Sequence, residues 1–439
     1  MGSGTVLKTK LATLSFLEFA VWGAYLTSLG IYLSGIGLGD KIFWFYTVQG
    51  IVSIFMPALI GIVADRWIQA QKMLSLCQLV AGVAMCGAAW YCASAETVEF
   101  GPLFTLYTIS VAFFMPTIGL NNSVAYTALS NAGLDTVKHF PPVRVFGTIG
   151  FICSMLLTNF LRIDGISMQA TYYQLYSSGI LSLVMAAYSL TMPKCPVSQG
   201  EPKSLSESLG LKAFTLFKDR KMAIFFIFSM LLGVSLQITN SYGTTFINAF
   251  GDVAEYASAW GARNATALVS LSQMSETLCI LLIPMALRRF GIKGVMLIAM
   301  FGWVLRFGFF GLGNPGSGVW LFILSMIVYG VAFDFFNISG SLYVDKKTDP
   351  SMRSSAQGLF MLMTNGIGAA IGTMAAGAVV NHYVFDSNLD AAAQIEGWHT
   401  SWYIFAAYAL AVSVAFWIVF KDDERPKIDV DRAIDRETV

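Results

Sequence analysis

The chain has 439 residues, of which 56% are hydrophobic and 12% are charged, and its formal net charge is +1. A typical soluble domain has about 25% charged residues, so this composition excludes an ordinary soluble globular protein. The basic side chains are spread over many separate short segments, which argues against a nucleic-acid-binding surface.

Apolar runs of about 20 residues recur from one end of the chain to the other, and each could cross a hydrocarbon core of roughly 30 Å. The first run is too long for a cleavable signal peptide, and no small-residue cleavage site follows it. We therefore expect an all-α integral membrane protein. The runs predict twelve transmembrane helices, at about 11–34, 42–64, 73–93, 102–129, 144–162, 172–192, 222–248, 266–287, 294–313, 319–343, 355–380 and 400–420.

A short motif closes the second run. Gly61, Asp65 and Arg66 form the pattern GxxxDR, in which the glycine permits close helix approach and the charged residues can latch against neighbouring helix ends. We interpret it as a structural loop signature. A similar short basic turn, 287–293, follows the eighth run, which indicates an internal repeat of two halves.

The longest polar interruption, 193–221, lies between the sixth and seventh runs. It predicts an N-terminal six-helix bundle over 1–192, a linker over 193–221, a C-terminal six-helix bundle over 222–424 and a tail over 425–439. Two six-helix halves with a substrate site between them are the architecture of major facilitator transporters. Because one chain supplies both halves, a monomer suffices.

Lysine and arginine are distributed unevenly among the loops. If the N-terminus is cytoplasmic, the outer loops hold only Lys41, Arg162 and Arg263, and most of the remaining basic residues lie inside. This asymmetry follows the positive-inside rule. It predicts a multi-pass protein of the cytoplasmic (inner) membrane, with both termini, the linker and the tail in the cytoplasm.

Five ionisable side chains interrupt the apolar runs. A charge at membrane depth is costly, so such residues usually face a bundle interior or a water-filled cavity. We expect them to mark a polar cavity that handles a small solute together with a proton. Arg306 has no polar stripe beside it, so we expect it in a buried structural pairing. The five residues are Glu18, Arg144, Glu276, Arg306 and Asp334.

Polar and aromatic residues at helical spacing mark the predicted inward faces. Residues three, four or seven positions apart share one face of a helix. Lipid would exclude such polar stripes, so we expect them to line one cavity. The groups are Glu18, Trp22 and Tyr25; Arg144, Thr148 and Phe151; Gln237 and Asn240; Gln273 and Glu276; and Tyr329, Phe333 and Asn337, with Asp334 beside them.

These residue types also indicate the ligand. Amides and carboxylates suit hydroxyl groups and ring nitrogens, and aromatic rings offer faces for stacking. With two arginines against three acids at depth, a phosphorylated ligand is not expected. A nucleoside fits best. A proton-coupled sugar or oligosaccharide permease is the alternative, and a proton-driven drug exporter comes third.

Other function classes lack their usual sequence features. The runs contain no nucleophile–base pair, and the three histidines and six cysteines show no metal-binding spacing. A channel would more naturally show a repeated filter or a ring of like charges. We therefore expect no enzyme activity, no metal and no cofactor, with the proton as the coupling ion.

Six long segments carry a resemblance to a known family. They are FMPALIGIVADRW (55–67), FPPVRVFGTIGF (140–151), MAIFFIFSMLLGVSLQITN (222–240), SQMSETL (272–278), SMIVYGVAFDFFNISGS (325–341) and SAQGLFMLMTNG (355–366). The chain resembles, nearly end to end, the nucleoside:H+ symporter family of the major facilitator superfamily, especially its NupG-type permeases. The resemblance implies import of purine and pyrimidine nucleosides, driven by the proton gradient across the cytoplasmic membrane.

The resemblance also implies roles for single residues. It implies hydrogen bonds to the ribose and base from Gln237, Asn240, Gln273, Glu276 and Asp334. It also implies further contacts from Arg144 and Thr148 in the first half. The rings of Phe151, Tyr329 and Phe333 are expected to enclose the base.

Coupling requires a group that changes protonation when the site changes exposure. An apolar environment favours the neutral form of a carboxyl group, and a nearby arginine favours the charged form. The hypothesis is that Asp334 or Glu276 loads a proton from outside, with Arg144 as the counter-charge. Glu18 is a further candidate, either as a second titrating acid or as a hydrogen-bonded neutral carboxyl group.

Overall fold

The computed structural model describes residues 2–195, 211–349, 352–385 and 389–421. Within these ranges the chain is helical apart from one short hairpin and the connecting turns. The predicted tail and most of the predicted linker lie outside the described residues. The side chains of Asp65 and Arg66 also lie outside the described part, so their latching role stays a prediction.

The first half of the chain consists of helices and one hairpin. Strands β1 (Arg162–Ile163) and β2 (Ile166–Ser167) pair antiparallel. The two residues between them have φ angles of 52° and 82°, as a tight hairpin turn requires. The helices are α1 (Gly2–Gly23), α2 (Leu29–Gly35), α3 (Ile42–Arg66), α4 (Ala70–Ser94), α5 (Phe100–Asn131), α6 (Thr136–Phe160) and α7 (Tyr173–Ser189), with 3-10 turns at Gly39–Lys41 and Met168–Ala170.

The second half begins with a 3-10 segment, Leu211–Lys218. Asp219 then caps the next helix by accepting a hydrogen bond from the amide of Met222 at 2.9 Å. The helices are α8 (Arg220–Ala249), α9 (Trp260–Arg263), α10 (Ala265–Cys279), α11 (Ile283–Leu312), α12 (Val319–Lys347), α13 (Arg353–Met361), α14 (Ala369–Tyr383) and α15 (Ala391–Val419), with 3-10 turns at Phe250–Asp252 and Ile280–Leu282 and a π-helical segment at Leu362–Gly368.

Nine helical stretches of the described chain are long and apolar enough to cross a membrane. One of them, Ala265–Leu312, has 48 residues. A straight helix of that length would extend about 72 Å, more than twice the hydrocarbon thickness. The stretch breaks at Gly291, where φ is 68° and ψ is 177°, a conformation that favours glycine. The predicted class, an all-α membrane protein, is confirmed.

The first predicted run does not form one continuous helix. A turn over 24–28 separates α1 from α2. Side chains of other helices bond to the carbonyl oxygens that the turn releases: Thr158 donates to Ala24 at 3.1 Å, and Tyr46 donates to Leu26 at 2.5 Å. Irregular backbone at membrane depth depends on such partners, which come from elsewhere in the chain.

The two halves meet through α2, α3 and α6 on one side and α8, α10 and α14 on the other. Side-chain hydrogen bonds join them near the end of the molecule opposite the start of α1. The hydroxyl groups of Thr47 and Thr373 lie 2.7 Å apart, and Asn381 donates to the carbonyl oxygen of Asp40 at 2.8 Å. The molecule is therefore closed at this end.

Three amide side chains at this closed end form what we call the amide clasp: Asn159, Gln169 and Asn264. Asn159 donates to the Asn264 side-chain oxygen at 2.9 Å and accepts from the backbone N–H of Ala267 at 3.1 Å. Gln169 donates to the carbonyl oxygen of Arg263 at 3.0 Å. Asn159 and Gln169 are at most 2% exposed, so these bonds are shielded from water.

The close helix approach expected at Gly61 does not occur in this structure. A Cβ at Gly61 would meet no described atom within 4 Å. Gly61 lies in the last turns of α3, far along the helix from the closed end that Thr47 occupies. Because the halves are joined at that end, no described helix packs closely against Gly61 in this structure, and its role in the loop signature stays a prediction.

We expect removal of the amide clasp to open the closed end. Replacing Asn159 and Gln169 together with alanine deletes the side-chain bonds of the clasp and leaves the Thr47–Thr373 and Asn381–Asp40 contacts in place. Even one lost hydrogen bond of about 1 kcal/mol shifts an equilibrium roughly fivefold. A Thr245→Cys substitution in a variant without the native cysteines reports the opening, because Thr245 is 3% exposed where α8 meets Gly30 and its hydroxyl group has no hydrogen-bond partner among the described residues. Labelling by a membrane-impermeant maleimide should accelerate.

Ser94→Ala is the matched control for this experiment. Ser94 ends α4 at the same end of the molecule, and its hydroxyl group bonds only to carbonyl oxygens of α4 itself among the described residues. We expect no change in labelling for this control. An unchanged labelling rate in the Asn159 and Gln169 double variant would contradict the role of the clasp.

Candidate substrate-binding site

The ten predicted substrate-site residues lie on four helices, one from the first half and three from the second. Helix α10 packs against α6, α8 and α12, so it connects the two halves at the site. Arg144, Thr148 and Phe151 lie on α6, Gln237 and Asn240 on α8, Gln273 and Glu276 on α10, and Tyr329, Phe333 and Asp334 on α12.

Two rings on α12 form an aromatic pair. Tyr329 and Phe333 are stacked, with centroids 5.7 Å apart and 5° between their planes. Trp303 of α11 packs edge-on against Tyr329 at 5.9 Å, and the guanidinium of Arg306 lies over the Tyr329 ring with 4.5 Å from Cζ to the centroid. Tyr329 is buried and Phe333 is only partly buried. The pair is thus held from behind and presents an aromatic surface.

Two carboxyl groups lie beside this aromatic pair. Asp334 follows Phe333 on α12 and is 6% exposed. Its Oδ2 has no hydrogen-bond partner within the part of the chain that the structure describes. The charge of Glu276 on α10 acts on Asp334 across the gap between the two helices. The two acids share one electrostatic environment, which is typical of a proton-binding pair.

Arg144 of the first half acts on one of these acids, Glu276. Its guanidinium lies over the ring of Phe19 on α1, with 3.9 Å from Cζ to the ring centroid. Its charge acts on Glu276 in the other half and on Glu18 in its own. Among the described residues no ion pair within 4.0 Å joins Arg144 to Glu276. The structure thus brings opposite charges from the two halves towards each other without direct contact.

The neighbours of Arg144 on α6 complete the first half of the site. Thr148, one turn further along, is partly buried. Phe151 is 7% exposed and packs edge-on against Trp22 of α1 at 6.2 Å. The indole of Trp22 in turn lies 6.1 Å from the ring of Phe114. The α6 face is thus supported by rings from α1 and α5.

Two amides on α8 bond to each other. Asn240 donates to the side-chain oxygen of Gln237 at 2.9 Å, as expected for residues three positions apart. This leaves the Gln237 amide nitrogen as a donor and the Asn240 side-chain oxygen as an acceptor for other partners. Both side chains are partly buried. They therefore present both hydrogen-bonding polarities to the space beside them.

A narrow crevice lies beside Phe333, lined in part by Leu236, Trp303, Asn337 and Asn365. Sequence reasoning singled out Phe333 and Asn337 but missed the other three. Trp303 precedes Arg306 by three positions, so helical spacing could have indicated that it shares a face with a buried charge. Nothing in the spacing of Leu236 or Asn365 distinguishes them from ordinary helix residues.

Glu18 lies apart from the acids of the second half. It is fully buried between α1, α4 and α5. Gln78 donates to its Oε2 at 2.9 Å, and the Thr117 hydroxyl group lies 2.6 Å from its Oε1. The structure thus places Glu18 in a polar cluster inside the first half rather than beside Asp334 and Glu276.

Arg306 is a fully buried cation in the second half. It donates to the carbonyl oxygen of Ser325 at 2.8 Å and to the hydroxyl groups of Ser272 and Thr239 at 3.3 and 3.4 Å. Its Cζ lies 4.5 Å from the ring centroid of Tyr329. No carboxylate of the described residues pairs with it. Its structural partners are neutral groups and an aromatic face that belongs to the site.

We expect Arg306→Lys to destabilise the protein. Lysine keeps the charge but lacks the planar guanidinium that lies on Tyr329 and reaches Ser272 and Ser325. A loss of about 1–2 kcal/mol is expected for a buried cation–π contact with its hydrogen bonds. The measurement is the apparent melting temperature of the purified protein in detergent, which should fall.

Arg289→Lys is the control for Arg306→Lys. Arg289 is exposed, and its guanidinium lies 5.5 Å from the ring of the adjacent Phe290. Its replacement should leave the melting temperature unchanged. Equal effects of the two substitutions would show that the buried partners of Arg306 contribute nothing.

A polar and aromatic site between two helical halves, with the molecule closed at one end, defines a multi-pass membrane transporter. The sequence identifies the family within this class, because residues 5–425 match the family described as Nucleoside H+ symporter. The chain belongs to that family. The predicted family and the prediction that the protein is a transporter rather than an enzyme are therefore confirmed.

Several known proteins are similar to this chain over most of their length. The xanthosine permease of Escherichia coli (strain K12) is 44% identical over 97% of this chain and 98% of its own. The nucleoside permease NupG of the same organism is 43% identical over 94% of this chain and 96% of its own. The crystal structure of nucleoside transporter NupG, 43% identical, matches with a TM-score of 0.85 over 95% of this chain and 100% of that chain.

A more distant solved structure shares the fold alone. An auto-inhibited peptide transporter of the POT family is 15% identical, with a TM-score of 0.68 over 95% of this chain and 99% of that chain. The helical arrangement is thus common to transporters of different solutes. The substrate must be argued from the site and from the nearer relatives.

Proposed function

We propose that this protein imports purine and pyrimidine nucleosides together with protons across the cytoplasmic membrane by alternating access. The observation that carries the proposal is that the charge of Arg144 in one half acts on Glu276 of the other, which itself acts on Asp334 beside the Tyr329–Phe333 pair. Membership of the nucleoside H+ symporter family and the similarity to xanthosine and nucleoside permeases support the substrate class.

The second half supplies most of the proposed substrate contacts. The amides of Gln237, Asn240 and Gln273 provide donors and acceptors for ribose hydroxyl groups and base nitrogens. The buried Oδ2 of Asp334 accepts a hydrogen bond from a hydroxyl group of the substrate. The base stacks against the ring of Phe333, which Tyr329 supports from the other side.

The first half completes the proposed binding site. Arg144 donates to the substrate or balances the acids across the gap, and Thr148 offers a hydroxyl group one turn away. Phe151, held by Trp22, closes the apolar side of the base. Because the two halves contribute to one ligand, binding favours conformations in which both halves approach it.

The proposed membrane arrangement has twelve crossings in two six-helix bundles. The stretch Ala265–Leu312 counts as two crossings that meet near Gly291, and α1 with α2 and α7 each add one to the other long helices. The bundles cover 1–192 and 222–424, with a cytoplasmic linker over 193–221. Both termini and the tail are cytoplasmic in the inner membrane. One chain is sufficient as a monomer, and the proton is the only coupling ion.

The amide clasp supports an inward-facing conformation, in which the binding site opens to the cytoplasm. With both termini in the cytoplasm, the clasp closes the outer end, so the site faces inward. In the outward-facing state Asp334 or Glu276 takes up a proton before the substrate is enclosed. Approach of the Arg144 charge to Glu276 then favours the ionised acid, so proton release accompanies opening to the cytoplasm. Glu18 is the remaining acid at membrane depth.

We expect Asp334→Asn or Glu276→Gln to separate substrate exchange from gradient-driven accumulation. Each amide keeps the size of the side chain but cannot release a proton. In proteoliposomes with an imposed proton gradient, labelled uridine should accumulate in wild type and lose its accumulation when a protonophore is added. The variant that has lost the coupling acid, Asp334→Asn or Glu276→Gln, should still exchange uridine across the membrane but should not accumulate it.

Asp345→Asn is the matched control, because Asp345 is a half-exposed carboxyl group on α12, the helix of Asp334, and pairs with Arg353 at 3.4 Å. It should accumulate uridine like wild type. If Asp334→Asn and Glu276→Gln both accumulate uridine against its gradient, neither acid couples transport to the proton.

A competition assay separates the nucleoside proposal from the alternative of a sugar or oligosaccharide permease. We expect unlabelled adenosine, guanosine and uridine to reduce uptake of labelled uridine, because the base occupies the aromatic surface. Free ribose, glucose and maltose lack a planar ring and should leave uptake unchanged. Displacement by the free sugars, with none by nucleosides, would favour the alternative permease.

A further inference from the structure

Glu18 is surrounded differently from the other acids at membrane depth. Its side chain is 0% exposed. Its neighbours are neutral groups of two other helices, Gln78 on α4 and Thr117 on α5. No lysine or arginine of the described chain forms an ion pair with it. The Glu18 carboxyl group is therefore buried and held by hydrogen bonds to neutral partners rather than by an ion pair.

The contacts of the Thr117 hydroxyl group limit how hydrogens can be placed in this cluster. It can donate one hydrogen bond and accept two. It lies 2.5 Å from the carbonyl oxygen of Phe114 and 2.6 Å from Oε1 of Glu18. If Glu18 were ionised, both of these oxygens would be acceptors, and one hydrogen could not bridge both short contacts. One pair of oxygen atoms would then repel each other.

A protonated Glu18 removes this conflict at Thr117. The carboxyl group donates from Oε1 to Thr117, and Thr117 donates to the carbonyl oxygen of Phe114. The Gln78 amide nitrogen, 3.1 Å from Thr117 and 2.9 Å from Oε2, supplies its two hydrogens to these acceptors. The Gln78 side-chain oxygen accepts from Ser182 at 2.5 Å. Each side chain of the cluster then has its partners.

The charged and titratable groups around this cluster are few. Arg144 on α6 is the cation whose charge reaches Glu18, and Cys77 on α4 is the titratable neighbour. The Arg144 guanidinium lies on the ring of Phe19 and faces Glu276 across the site. It therefore belongs to the site rather than to the Glu18 cluster.

We propose that Glu18 is a neutral positioning residue, a carboxylic acid that keeps its proton and fixes α1 against α4 and α5. Phe19 and Trp22, on the same helix, support Arg144 at 3.9 Å and Phe151 at 6.2 Å. Because Glu18 fixes the rotation of α1, it also fixes the positions of Phe19 and Trp22 beneath the substrate site. Glu18 is not the acid that couples transport to protons, and this assignment holds whichever acid of the second half does so.

Infrared spectroscopy of the full-length protein in lipid tests the protonation directly. Glu18→Gln should remove a carbonyl-stretching band of a protonated carboxylic acid from the spectrum. Thr117→Val keeps Glu18 but removes its acceptor, so the same band should move to higher frequency. A spectrum in which Glu18→Gln removes no such band, or in which Thr117→Val leaves the band in place, overturns the proposal.

Transport measurements test the positioning role. The Glu18→Gln amide can donate to Thr117 and accept from Gln78, so it reproduces both hydrogen bonds of the neutral acid. Gradient-driven uridine uptake should stay within about twofold of wild type, with an unchanged pH profile. Loss of accumulation with retained exchange would identify Glu18 as a coupling acid and overturn the proposal.

Glu18→Leu supplies the contrasting variant, because leucine can neither donate nor accept. We expect a raised KM for uridine with a smaller change in the maximal rate, since Phe19 and Trp22 lose their fixed positions. The protonated-acid band should again be absent. A KM equal to that of wild type would show that Glu18 does not position the site.

Discussion

A hydrocarbon core offers no hydrogen-bond partners, so polar groups at membrane depth must be satisfied by the protein or by what it binds. The irregular turn over 24–28 depends on Thr158 and Tyr46 for this reason. The amide clasp satisfies its own donors and acceptors across the two halves. Asp334 keeps one buried oxygen without a partner among the described residues, and it lies where we propose that the substrate binds.

In each half one buried polar side chain hydrogen-bonds to three other helices. Gln78 of α4 joins α1, α5 and α7 in the first half, and Arg306 of α11 joins α8, α10 and α12 in the second. Both halves thus join four helices through one buried polar side chain, but the side chain is an amide in the first half and a cation in the second. The neutral amide is matched by a protonated acid, whereas the cation lies under Tyr329 in the half that carries Glu276 and Asp334.

The membrane class and most helix bounds could be predicted because the bilayer enforces long apolar helices. Helical spacing also indicated that Tyr329 and Phe333 share a face. Spacing could not reveal contacts between helices distant in sequence, such as Phe19 with Arg144 or Trp303 with Tyr329. Gly61 illustrates another limit: a sequence does not state in which conformation a small residue meets its neighbour.

The chemistry of the amide clasp has an electrical consequence. Its side chains are uncharged, and Arg263 takes part through its backbone oxygen. Parting these groups transfers no net charge through the transmembrane field, whereas displacing one elementary charge through 100 mV changes the energy by about 2.3 kcal/mol. The membrane potential therefore has little effect on opening and closing of the amide clasp. It acts on the transport cycle through the charges at mid-membrane and the proton that travels with the solute.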